Sequence, residues 1–139
     1  MKIEAEVQSQ HQMHLARVRT NGRETTLPVP VAASGFGSGV NGGELLFLAL
    51  ATCACNDLYR EAAKREITLT YVNVAVRGRF GGPGEPAQAI AYDVELAGDA
   101  DRDALIALAR HTDTVAEVQN TLRQGMEVSL ASVEIVDVP

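Results

Sequence analysis

The chain has 139 residues, 46% of them hydrophobic, and a formal net charge of −6. This length fits one domain, residues 1–139, that buries about two-thirds of its unfolded surface, and the apolar content excludes a disordered chain. The acidic balance argues against nucleic acid as the main partner, because phosphate binding needs clustered Lys and Arg, and against electrostatic attachment to a membrane.

The chain opens with MKIEAEVQSQHQ, which carries no apolar h-region, so no signal peptide is expected. Ile3, Ala5 and Val7 alternate with charged and polar residues, which predicts a strand. Met13–Val18 predicts a second strand, and Thr20-Asn21-Gly22 a hairpin turn, since Asn and Gly tolerate positive φ. Thr25–Val31 continues the sheet as an edge or an exit, because Pro28 and Pro30 cannot donate to a ladder. A loop over Ala33–Gly43 follows, with glycine at 35, 37, 39, 42 and 43; no Gly-Lys-Ser/Thr follows it, so it is not a phosphate loop.

Glu44–Glu66 predicts a long helix, with Asn41 as N-cap and Glu44 reaching back to it. From Leu45 to Cys55 it has no charged residue, about half the ~20 apolar residues that span a bilayer. No membrane span is expected, and the location is read as cytoplasmic. The apolar start of the helix should be enclosed, in part by a second subunit. Past Asn56 the helix turns amphipathic, and Asp57, Arg60, Glu61, Lys64, Arg65 and Glu66 are read as a solvated, ion-paired face.

Leu69–Phe80 predicts a strand, Gly81–Pro86 a turn, and the alternation through Ile90, Tyr92, Val94 and Leu96 its partner. Asp99-Ala100-Asp101 caps a helix running to about Arg110, and Val115–Arg123 a second one, ending before Gly125. Met126, Val128, Leu130, Val133, Ile135 and Val138 predict one or two final strands. Segregated strands and helices make the fold class α+β.

The chemistry centres on Cys53 and Cys55. Two residues along a helix turn a side chain by about 200°, so the two sulfurs diverge and cannot bridge without unwinding. CxC with no second Cys/His pair offers too few ligands for a metal. For Cys53 two readings stay open: a small buried hydrophobe, or a protected nucleophile that needs a cation or helix dipole to become a thiolate. Cys55 is read as packing.

The Gly-rich entry GFGSGVNGGELL, the helix segment ALATC, the strand TYVNVAVRGRF and the tail VAEVQNTLRQGMEVSL resemble the OsmC/Ohr family of stress-related thiol peroxidases. The resemblance spans nearly the whole chain. It implies antiparallel sheets around a long central helix, in an intertwined homodimer with sites at the subunit interface. It also implies a peroxiredoxin-like reaction in which Cys53 attacks an organic hydroperoxide. Arg23 takes the place of the activating arginine, and Glu44 the acid that orients it. Phe47 and Leu50 would offer an apolar wall to the substrate, and His111 lies near the same region. The family's resolving cysteine falls near Ala116, and no cysteine follows Cys55. The implied activity is therefore a one-cysteine hydroperoxide reductase with an external thiol or lipoyl-type reductant and no cofactor. The alternatives are a non-enzymatic protein that binds a small apolar ligand, and a redox sensor.

Overall fold

The structure is a computed structural model and describes residues 1–137. In chain order it holds β1 (Ile3–Gln10), β2 (Met13–Thr20), β3 (Arg23–Leu27), α1 (Gly42–Lys64), β4 (Leu69–Phe80), β5 (Ala87–Gly98), α2 (Arg102–Val115) and α3 (Glu117–Gln124). Two antiparallel sheets and three helices confirm the α+β class. The chain forms two compact units: Met1–Leu48 with Phe80–Gln88, and Ala49–Arg79 with the chain from Ala89 onward.

In the first unit β1, β2 and β3 form a meander. Asn21 (φ 49°) and Gly22 (φ 82°) make the tight β2–β3 turn that the Asn-Gly pair predicts. The register sets Glu4 opposite Arg19, Glu6 opposite Arg17 and Arg19 opposite Glu24. Those pairs close at 3.2, 3.0 and 2.7 Å, so one face of the sheet is laced with charge. The other face carries Ile3, Val7 and Leu27, all exposed within the chain. At Gly35 (φ 83°) a Cβ would lie 2.7 Å from Gln12 and 3.0 Å from His11, so glycine lets the β1–β2 turn seat on the loop. The Asn41–Glu44 cap forms reciprocally: Glu44 N–H donates to Asn41 Oδ1 at 2.8 Å, and Asn41 N–H to Glu44 Oε1 at 3.2 Å.

In the second unit the core is Leu58, Ala62, Leu69 and Leu108, joined by Val72, Val74, Val94, Leu96, Leu105 and Ala109. The later turns of α1 thus pack on the inward rows of the β4–β5 hairpin and on α2. The row that makes this work is Leu50, Ala54, Leu58 and Ala62, spaced four residues apart on one helix face. α1 ends on Glu66 in the left-handed region, with Ile67 N–H bonded to Ala62 O at 3.0 Å and Glu66 N–H to Ala63 O at 3.1 Å, a Schellman pair. Asp101 caps α2 by accepting from Ala104 N–H at 2.8 Å, and α3 closes on Gly125.

The uncharged start of α1, the surface assigned in part to a second subunit, is open within the single chain: Leu45 and Leu48 are exposed, Leu48 to 60%. The buried row begins only at Leu50. Two expectations fail. Asp57 and Glu61 are not solvated but buried, 6% and 4% exposed, because α2 and α3 bring partners onto that face. The final strand does not form over Met126–Asp137; Val128 and Ile135 are 94% and 90% exposed, with no neighbouring strand among the described residues to pair with. Val138 lies outside the described residues. No helix among the described residues is long and apolar enough to cross a membrane.

Leu58 is fully enclosed where α1 meets the hairpin and α2. Leu58→Ala should destabilise the protein by about 2–5 kcal/mol, read as a lower urea midpoint with an unchanged slope. A change within ±0.5 kcal/mol, about what surface sites give, would refute this core assignment.

Candidate functional site at Cys53

A polar row runs along α1 beside the buried apolar one. Cys53, Asp57 and Glu61 follow one another at four-residue spacing, and Arg60 and Lys64 flank them. Cys53 Sγ lies 3.5 Å from Asp57 Oδ2. The start of α3 closes the row from outside. Ala116 is completely buried and links α2 to α3; its side chain makes no cap, so the first N–H groups of α3 look for other acceptors. Glu117 Oε2 stands 3.8 Å from the sulfur, and the Val118 N–H acts on it in favour of the thiolate.

Arg60 holds this assembly. Its guanidinium reaches Asp57 at 3.1 Å, Glu61 at 2.9 Å and Glu117 at 2.8 Å. Glu61 also takes Lys64 at 2.8 Å and His111 at 2.9 Å, which brings α2 into the network. α3 is fixed a second time by Arg123, which reaches Asp113 Oδ1 at 2.6 Å; the Tyr92 hydroxyl donates to that same oxygen.

The electrostatics follow from these contacts. Burial pushes the Cys53 thiol up; Val118 N–H opposes this, while Asp57 and Glu117 add to it. Burial raises Asp57, and the neighbouring Glu117 adds to it, while Glu117 is held down to about 2 by Asp57, by a backbone N–H and by Arg60. Glu61 is held down to about 2 by Lys64, Arg60 and His111. The Cys53 thiol is thus placed to donate to Asp57, the nearer acid, and its ionisation is opposed by both carboxylates.

The ligand atoms of Cys53, Asp57 and Glu117 lie within 4.8 Å of one another, a set that a divalent ion could use. Arg60 already supplies the positive charge between the two carboxylates, so the arrangement reads as a completed ion-pair network.

Cys55 points elsewhere, as helical phase requires. It lines a shallow cleft of about 270 Å³ with Ala51, Thr52, Asn56, Val72, Asn73 and Val74. Leu50, one turn before Cys53, is buried and lines a cleft of about 230 Å³ with Ile90, Tyr92, Gln119, Leu122 and Arg123. Phe47 stacks on Phe80 at 5.9 Å, which Gly43 permits because a Cβ there would lie 2.7 Å from the Phe80 ring. Arg23 opens β3 at the hairpin turn, and Glu44 is engaged in the helix cap; among the described residues no ion pair joins them. His111 meets Glu61, two ion-pair links from Asp57.

Sequence reasoning did not place Asp57, Arg60 or Glu117 at the site. A signal was present, since the four-residue spacing of Cys53, Asp57 and Glu61 puts two acids in line with the thiol.

Glu61 carries a pH signature. Its folded value of about 2 lies below the ordinary 4.5, so the stability it contributes is complete above about 4.5 and is lost as pH falls toward 2. The stability gap between the wild type and Glu61→Gln should therefore be widest near pH 7 and narrow between pH 4.5 and 2. Urea midpoints across that range check this, and a gap independent of pH would contradict it.

A family model for OsmC-like proteins matches residues 35–131. No curated protein matches the chain. Among solved structures, an OsmC-like protein from Mycoplasma pneumoniae superposes with a TM-score of 0.60 at 18% identity, covering 88% of each chain. An organic hydroperoxide resistance protein OsmC from Legionella pneumophila gives 0.57 at 16%, covering 88% of this chain and 90% of its own. The organic hydroperoxide resistance protein OhrB of Bacillus subtilis gives 0.52 at 16%, covering 88% and 92%. The first unit's loop, the helix that carries Cys53 and the α3 segment that closes over it all fall within the matched residues, and the chain belongs to the OsmC-like family.

Proposed function

We propose that this protein is a thiol-dependent reductase of organic hydroperoxides that serves oxidative-stress defence through Cys53 alone. The observation that carries the reading is the setting of Cys53: a half-buried thiol in direct contact with groups that accept and donate protons. Membership of the OsmC-like family supports it, as do the names of two structural relatives, which describe hydroperoxide resistance.

In the proposed cycle the thiol and R′OOH give the Cys53 sulfenic acid and R′OH. Two equivalents of an external thiol then return Cys53 to the thiol, leaving as their own disulfide with loss of water. The reductant is external because Ala116 stands where the family's resolving cysteine would, and because Cys55 faces the β4 side of the helix. The cleft lined by Leu50, Ile90 and Leu122 would take the alkyl group of an apolar hydroperoxide. The resemblance assigns the activating charge to Arg23 and Glu44; the contacts of Cys53 within its own unit support an added role for Asp57 and Glu117 in its proton chemistry.

The assembly proposed is a homodimer. The apolar face of β1–β3, Leu45 and Leu48 at the start of α1, and Val128 to Val136 of the tail are all exposed in one chain. Separate apolar surfaces on this scale are rare in a soluble monomer. Sedimentation equilibrium should return twice 14.8 kDa at micromolar concentration; a monomer would rule the dimer out.

With dithiothreitol present, the protein should consume cumene hydroperoxide, Cys53→Ser should not, and Cys55→Ser should retain the activity. The upward-shifted thiol favours one competing reading, a non-enzymatic binder of a small apolar ligand. Consumption no faster than the Cys53→Ser control, together with saturable binding of an apolar probe, would establish that reading in place of the enzyme.

A further inference from the structure

The peroxide reaction needs two proton movements: the thiol must lose a proton, and the departing alkoxide must gain one. The usual solution is a thiolate formed in advance beside a cation. Here the sulfur's described contacts are two carboxylates, and burial together with those acids works against a thiolate.

We propose that Asp57 is a catalytic acid–base in this reaction, taking the proton of Cys53 and passing it to the alkoxide oxygen as the O–O bond breaks. The inference rests on the hydroperoxide-reductase reading. The S–O bond forms as the O–O bond breaks, sulfur loses two electrons and the peroxide oxygens gain them. The distal hydroxyl stays on sulfur, R′O⁻ leaves as R′OH with the proton from Asp57, and Asp57 ends as it began. No further oxidant or reductant enters this step.

Geometry selects Asp57 over its neighbour. Its Oδ2 is the nearer oxygen, 3.5 Å from Sγ against 3.8 Å for Glu117. It stands one helical turn from Cys53 with its side chain 9% exposed, whereas the Glu117 side chain is 63% exposed. Arg60 grips both carboxylates, at 3.1 and 2.8 Å, and so acts as a positioning residue. The charged and titratable groups facing Asp57 are Cys53 and Arg60 from α1 and Glu117 from α3; beyond Arg60 lie Glu61, Lys64 and, from α2, His111. Burial, and after it the neighbouring Glu117, hold Asp57 above the ordinary carboxylate range, which makes it a better proton donor than a free carboxyl.

The test compares two reactions of the same sulfur in the full chain carrying Cys55→Ser. Oxidation by excess cumene hydroperoxide needs a proton for the leaving alkoxide; alkylation by iodoacetamide does not, because iodide leaves unprotonated. Asp57→Asn should lower the oxidation rate constant about 100-fold at pH 7, the low end for general acid–base catalysis. The alkylation rate should hold or rise, since a negative neighbour has been removed. If both rates change by the same factor, Asp57 acts only on thiol ionisation or packing, and the proposal fails. If oxidation is unchanged, it also fails, while the reductase reading stands. A wild-type thiol that alkylates but is inert to the hydroperoxide overturns the reading and the proposal together. Glu117→Gln, at an exposed side chain, should shift the acidic limb of the oxidation profile to lower pH because Asp57 loses the partner that raises it. His111→Gln should leave that limb in place. An unmoved limb in Glu117→Gln overturns the proposal even if the Asp57→Asn protein does not fold.

Discussion

The grip of Arg60 on three carboxylates is the contact on which the rest of the site depends. Asp57 and Glu61 are buried on α1, and Glu117 opens α3. Carboxylates brought together out of water repel one another unless a cation satisfies them, and a planar guanidinium with several donors does so better than an ammonium. Through Glu117 this one side chain fixes the start of α3 over Cys53; through Glu61 it ties in His111 and hence α2. Removing its charge would leave the buried Asp57 without a cation, the kind of change that costs more than the loss of a surface ion pair.

The single helix that carries these residues solves two problems with one periodicity. Its row at Leu50, Ala54, Leu58 and Ala62 builds the hydrophobic core, and the adjacent row at Cys53, Asp57, Arg60 and Glu61 builds the site. Packing of the first row fixes the rotation of the helix, and that rotation fixes where the thiol points. Cys55, two residues on, is turned to the β4 side by the same constraint. The difference in setting between the two cysteines is therefore a consequence of core packing.

Much of this could be read from local patterns. The Asn21-Gly22 turn, the Asn41–Glu44 cap, the alternating strands Leu69–Phe80 and Ala87–Gly98, the Asp101 cap and the Gly125 stop all rest on contacts within a few residues, and all form. What was not legible depends on partners distant in sequence. Asp57 and Glu61 look like solvated helix charges until α3 and α2 arrive 50 or more residues later to cover them. The tail shows the opposite failure. Its alternating apolar residues have the pattern of a strand, but a strand exists only where its N–H and C=O groups find a ladder, and the described chain offers none over Met126–Asp137. A period-2 pattern states what a segment needs without saying which chain supplies it.

Stability and reactivity pull against each other at Cys53. The contact of Glu117 with Arg60 that anchors α3 also sets the electrostatic surroundings of the thiol. The Val118 N–H favours a thiolate, the carboxylates oppose it, and burial opposes it further. Ala116 fills the junction without a hydrogen-bonding side chain, so no group there offsets the acid that follows it. A fold that half-buries Cys53 against carboxylates obtains a firmly held α3 at the expense of the thiolate. The same carboxylates that hold the structure together work against a standing charge on sulfur, so a proton acceptor beside the thiol matters more here than in a site with a cation at the sulfur.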